Sequence, residues 1–223
     1  MSLSKNILVV VTSHSSIDST HPTGLWFEEF AMPYLAFRAQ GMQITIASPR
    51  GGVVPIDPRS ELEIEQDESL KAARTALQRT QPLGQMTATN FDAVFLPGGH
   101  GTMFDLPGNT TLQCLLADFA QADKVISAVC HGLAGFVGVQ LASGKPLVAG
   151  RTITAFTNEE ERATGLDPLM PFLLETRLRE LGGRFVEGPN WADHVERDGK
   201  LITGQNPQSS GSVAQAIIDV LTA

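Results

Sequence analysis

A cysteine and a histidine stand side by side at positions 130 and 131, directly after an apolar run from Val125 to Val129 and directly before Gly132. A run that stops there and gives way to a helix-compatible stretch reads as strand, tight turn and helix. That is the geometry of a nucleophile elbow. The turn lifts one side chain above the sheet edge, and the helix N-terminus aims N–H groups and positive dipole at it. A thiol so placed should ionise more readily than usual, because dipole and neighbouring imidazole both favour thiolate. Cys130 is therefore the candidate nucleophile, with a buried structural cysteine as the plain alternative. Ala128 and Gly132 are small where bulk would clash across the turn.

Other residues could complete such a site. Gly98-Gly99, after another apolar run, can offer an unhindered backbone N–H to a developing oxyanion, and the His131 N–H would be the second donor. Glu28 and Glu29 precede Pro33 in a stretch where Trp26, Phe30 and Phe37 define a helical stripe, and Glu29 falls nearer the edge of that stripe. Pro33 lacks the N–H that would bond the carbonyl of residue 29, so the backbone there is loosened. A half-buried glutamate should hold its proton more tightly and can shuttle it; two solvated first-turn acids are the ordinary reading. One of Glu159, Glu160 and Glu161 can accept the imidazole N–H of His131, as in a triad, against a solvated charge run. His100 and His21 are pocket-lining candidates, with a polar loop histidine as the ordinary reading of each ahead of a metal ligand, and Asp193-His194 has no evident partner. Cys114 lies off the Leu112/Leu115/Phe119 stripe and reads as non-catalytic.

The elements that must position these groups alternate strand and helix. Strands are expected at Ile7–Val11, Gln43–Ala47, Phe91–Leu96 and Val125–Val129. Shorter ones are expected near Leu147–Val148, Thr152–Phe156, Arg184–Val186 and Leu201–Thr203. Helices are expected before Gly41, after Asn109 or Thr110 as cap, over Pro168–Leu181 and over Val213–Leu221. Residues 53–75 read as an acidic excursion over the surface with no motif. The alternation predicts an α/β fold, a mostly parallel sheet with helices on both faces, in one domain over residues 1–223. Ligands of such sheets sit at the carboxyl ends of the strands, where the segments after Val11, Ala47, Leu96 and Val129 should converge.

Composition narrows the classes. The chain has 223 residues, enough for a core without disulfides, and a formal charge of −8 that offers no basic footprint for nucleic acid or anionic membrane. Two cysteines 16 positions apart fit neither a redox CxxC pair nor a zinc finger. The first apolar run is short for a signal peptide and no run approaches the ~18 residues of a membrane span, so a cytoplasmic setting is expected.

Val-Cys-His-Gly at 129–132, Pro-Gly-Gly-His-Gly at 97–101, the glutamate before Pro33 and Ser-Pro-Arg-Gly-Gly at 48–52 together resemble the ThiJ/PfpI superfamily, a flavodoxin-like three-layer sandwich related to class I glutamine amidotransferases. Thr23-Gly24-Leu25-Trp26, Phe156-Thr157-Asn158 and Gly204–Ser210 make the chain most similar to its heat-shock chaperone and glyoxalase III branch. The resemblance implies Cys130 as nucleophile, His131 as its partner, Glu29 as the acid on the cysteine and Glu161, with Glu160 close behind, as the third triad member. It implies Gly98, Gly99, His100 and Trp26 as substrate-binding residues, no cofactor, a small aldehyde or carbonyl substrate such as methylglyoxal, and a homodimer. Some relatives bind zinc, with no ligand set that maps onto this chain. The rival readings are an amidotransferase, for which His194-Val195-Glu196 is a weak spacing match, a peptidase, another electrophile-directed hydrolase, and a holdase chaperone exposing Trp26, Phe27 and Phe30.

Overall fold

The structure is a computed structural model that describes residues 4–61 and 68–223; Met1–Leu3 and part of the 53–75 excursion lie outside them. In chain order the strands are β1 (Asn6–Val10), β2 (Gln43–Ser48), β3 (Gln81–Pro82), β4 (Ala93–Leu96), β5 (Val125–Val129), β6 (Thr152–Ile153), β7 (Arg184–Phe185), β8 (Val195–Asp198) and β9 (Leu201–Gly204). The helices are α1 (Phe27–Ala39), α2 (Glu68–Ala76), α3 (Thr102–Asp105), α4 (Thr110–Gln121), α5 (Asn158–Thr164), α6 (Leu174–Glu180) and α7 (Ser210–Thr222).

A seven-stranded sheet in the order β3-β2-β1-β4-β5-β9-β8 forms the frame, parallel except for the β8 edge. The apolar strand residues serve two cores by turns. Ile7 and Val9 of β1, with Phe95 of β4, face a core shared with Phe30 and Phe37 of α1 and Val213 and Ile217 of α7. Leu8, Val10, Val94 and Leu96 face the opposite core, built with Leu112, Leu116 and Phe119 of α4. Period-two side chains on a sheet covered on both faces demand this division, and it explains why the strands read as unbroken apolar runs. The chain winds outward from β1, which pairs with β2 on one side and β4 on the other. The loops that leave the carboxyl ends of β1 and β4 pack together there, Trp26 N–H donating to the Gly98 carbonyl at 3.1 Å and Gly101 N–H to the Gly24 carbonyl at 3.2 Å, and they wall a crevice with the loop after β5.

Local chemistry explains most boundaries. Val125–Val129 forms as expected, and Asn109 caps α4 by accepting the Leu112 N–H at 3.0 Å. The stretch after Cys130 is a 3₁₀ run, Cys130–Phe136, rather than an α-helix, all seven residues buried. Pro171 divides the helix expected over 168–181 into a 3₁₀ turn at Asp167–Leu169 and α6, because it cannot donate to the previous turn. Leu147–Val148 is a buried turn rather than a strand, and only Thr152–Ile153 of the expected 152–156 strand pairs. The charged Val195–Asp198 segment is an edge strand, whose solvent-facing side chains hide the apolar signal. The excursion over 53–75 carries a 3₁₀ turn at Pro58–Ser60 and the helix α2. No helix among the described residues is long and apolar enough to cross a membrane.

Candidate active site

The β5 strand delivers Cys130 to the crevice with φ at +57°, a left-handed conformation that a non-glycine residue adopts only when its surroundings impose it. The imposing contacts are tight. A Cβ on Gly132 would stand 2.1 Å from the Leu96 carbonyl oxygen, and one on Gly98 would stand 2.7 Å from the His131 nitrogen and 2.8 Å from Glu29 Oε2. Register explains the crowding: Leu96 of β4 pairs with Ala128 of β5, so the loops after both strands meet side by side. Thr102 ties them together, its hydroxyl 2.8 Å from the carbonyl oxygens of both Gly99 and His131.

Glu29 reaches the same point from the first turn of α1 and is fully buried, whereas Glu28 is half-buried. The Gly98 N–H donates to Glu29 Oε2 at 2.7 Å. Oε1 is buried without a well-formed hydrogen bond and faces the Cys130 thiol. Burial pushes the Glu29 carboxyl up to about 8. Burial and the Glu29 charge likewise push the Cys130 thiol well above its usual value. The depressed thiol expected from elbow and imidazole is thus corrected. The free pair resists carrying two negative charges in a dry pocket, and a short 3₁₀ run supplies a weaker dipole than an α-helix would.

His131 places Nδ1 3.3 Å from Cys130 Sγ and Nε2 2.6 Å from Glu161 Oε2. The three expected groups are therefore brought into line. Glu161 is selected over its neighbours by the capping box that starts α5: Thr157 and Glu160 bond each other's backbone N–H groups at 3.0 Å, which turns Glu161 inward. Glu160 is also buried but accepts from Trp191 N–H, Gln205 Nε2 and Asn206 Nδ2, while Glu159 is exposed. Burial disfavours ionised Glu161, yet His131 and the hydrogen bond from His100 outweigh it and hold the carboxyl well below the usual range. His100 is pushed down to about 4 by burial, then by His131.

The cavity over the thiol is about 90 Å³, several times the ~10–15 Å³ that one water needs. Trp26, Gly99 and His100, three of the four residues expected to bind substrate, line it. Gly98 does not; its N–H is spent on Glu29. The Gly99 N–H makes no hydrogen bond among the described residues, and the His131 N–H interacts with the thiol. Trp26 caps α1 instead of joining the buried stripe, where Phe27 takes its place. Sequence reading missed Arg59 and Trp191, both on the cavity wall. An Asp-Pro turn start at 57–58 and an aromatic in the Gly188-Pro189-Asn190-Trp191 loop were the available signals. His21 pairs with exposed Asp18, His194 with Glu196, and Asp193 accepts from Ser212; none of the three lines the cavity. Cys114 is exposed on α4.

His100, His131 and Glu161 bring ligand-type atoms within 4.8 Å of one another, a donor set that suits a divalent transition metal. Those atoms bond one another here, and an ion among them would compete with the His131–Glu161 pairing.

The suppressed basicity of His100 has a stability consequence. Its folded pKa, about 4, lies below the 6.5 of a free imidazole, so unfolded chains bind its proton first. Its contribution is present above pH 6.5 and is lost as pH falls through 4. Glu29, shifted upward, acts in the opposite sense between pH 8 and 4.5. The effect should therefore be read as a difference: in urea titrations, wild type loses stability relative to His100→Gln on going from pH 7 to pH 4.

The doubly covered parallel sheet with a cysteine elbow at its carboxyl edge defines the class. The chain belongs to the DJ-1/PfpI family, whose model matches residues 27–220. It is 33% identical over 213 residues to the glutathione-independent glyoxalase hsp3101 of Schizosaccharomyces pombe, covering 89% of this chain and 87% of that one. The solved glyoxalase III of Candida albicans superposes with a TM-score of 0.88 at 28% identity, over 96% of both chains. The Rapid Encystment Protein of Francisella tularensis does so with a TM-score of 0.91 at 34% identity, over 97% of this chain and 99% of the other.

Proposed function

We propose that the protein is a glutathione-independent glyoxalase that converts methylglyoxal to lactate through Cys130, in a Cys130–His131–Glu161 site assisted by Glu29. The observation that carries this reading is the convergence of thiol, imidazole and two differently tuned carboxyls on one small cavity. Glu161 fixes His131 with its Nε2 proton outward, which leaves Nδ1 to take the thiol proton. The sulfur adds to the aldehyde carbon to give a hemithioacetal, whose oxygen the Gly99 and His131 N–H groups hold. Glu29 then carries the proton from that carbon to the neighbouring carbonyl carbon through an enediol. A carboxyl poised near 8 sits close to operating pH, where one group both gives and takes protons well. Water cleaves the resulting thioester, releasing lactate and the thiol. The balance is one dicarbonyl and one water per lactate, with no external redox partner.

Phe27 and Phe30 are buried, which leaves the surface imagined for a holdase without its main residues. The glyoxalase reading is tested by lactate formation from methylglyoxal without glutathione. Lactate should accumulate in step with methylglyoxal consumed over many turnovers. Consumption limited to one equivalent per thiol would reduce the site to a reactive cysteine and sink the reading.

A further inference from the structure

The segment that carries no motif in the sequence returns one side chain to the site. Asp57 is fully buried and caps the Pro58–Ser60 turn by accepting the Arg59 N–H. The same carboxylate takes Arg59 Nε at 2.9 Å and Nη2 at 2.6 Å, a planar fork that only arginine makes, and Thr23 donates its hydroxyl to Oδ2 at 2.9 Å. Arg59 is thereby aimed, and its Nη2 lies 3.2 Å from His100 Nδ1. A guanidinium has donors and no acceptor, so Nδ1 of His100 must accept. With Nδ1 accepting, the proton of the ring sits on Nε2. That proton meets Glu161 Oε1 at 2.9 Å, while Oε2 receives His131.

We propose that Arg59 is a positioning residue: it locks His100 in the Nε2–H tautomer, so that Glu161 is held between two imidazole donors and His131 keeps Nδ1 toward Cys130. This rests on the Cys130–His131–Glu161 site proposed above. Without the Arg59 donor, His100 is free to carry its proton on Nδ1. Its bare Nε2 would then face the Glu161 carboxylate, lone pair against lone pair, and the ring would turn away. Glu161 Oε1 would then keep only the Thr164 hydroxyl at 3.3 Å, and a carboxylate turning toward that donor loosens its hold on His131.

The test combines imidazole ¹⁵N NMR with the rate at which iodoacetamide alkylates Cys130, neither of which needs methylglyoxal turnover. A His100→Gln spectrum assigns the ring. Wild type should show a protonated Nε2 and an acceptor Nδ1 on His100. Arg59→Met should mix or invert that pattern and change the alkylation rate roughly tenfold, the scale of one lost charged hydrogen bond, with any turnover falling in kcat more than in KM. Arg59→Lys, which keeps the charge but loses the fork to Asp57, should fall between wild type and Arg59→Met in both readouts. An unchanged His100 pattern in a folded Arg59→Met protein overturns the proposal, as does an unchanged alkylation rate. Should the Met variant not fold, the wild-type spectrum carries the test: an Nδ1-protonated His100 there overturns the proposal. Absence of lactate from wild type would overturn the proposed function while leaving these readouts intact.

Discussion

Cys130→Ala should form lactate from methylglyoxal at least ~10³-fold more slowly than wild type, the scale seen when the nucleophile of a coupled triad is deleted. The sulfur is the atom that joins the substrate, and nothing else on the cavity wall can replace it. The backbone donors at Gly99 and His131 and the carboxyl of Glu29 survive the change, so a small residual enolisation is what they alone contribute. The fold should tolerate it. One sulfur atom lost from a buried site next to an already strained backbone costs about 1–2 kcal/mol, which thermal unfolding will report. A variant that melts like wild type yet keeps its turnover would remove Cys130 from the mechanism.

Glu29→Gln should cost roughly 10²–10⁴-fold in kcat, the usual contribution of a positioned general acid–base. The amide oxygen can still accept the Gly98 N–H that Glu29 Oε2 accepts at 2.7 Å, so the wall of the site stands and the loss reports the missing proton shuttle. The pH profile separates this from a packing defect. Burial pushes Glu29 up to about 8, and wild-type turnover should change as pH passes that value, whereas the Gln variant should show no such limb. Stability carries the same signature. A folded pKa raised from 4.5 to about 8 gives a contribution fully present below 4.5 and lost as pH rises through 8. Above pH 8 the Gln variant should therefore gain stability relative to wild type. Parallel pH–stability curves for the two proteins would mean that Glu29 does not hold its proton in the fold.

The match to residues 27–220 spans Glu29, Cys130, His131 and Glu161, and the Candida albicans and Schizosaccharomyces pombe proteins similar to this chain are named as glyoxalases. The division of labour among these four residues in this chain is what the two variants measure.

Sequence alone determined whatever depends on neighbours along the chain. The unbroken apolar run at Val125–Val129 forms the buried strand β5, the Asn109 cap forms, and small residues flank the strained cysteine because a turn is a local object. Glu29 was preferred over Glu28 on helical phase alone, and it is the buried one. Tertiary structure decided what depends on distance through space. Three consecutive acids at 159–161 look alike in the sequence; a capping box and the approach of His100 and His131 separate Glu161 from the others. The thiol's proton affinity is likewise set through space: a 3₁₀ run stands where the sequence suggests a full helix, and burial beside the Glu29 carboxyl raises the thiol. Arg59 reaches the site through Asp57 and His100, which are close to it only after folding. Periodicity and turn chemistry act over a few residues, whereas desolvation and proton sharing act over a few ångströms between segments that the chain holds far apart.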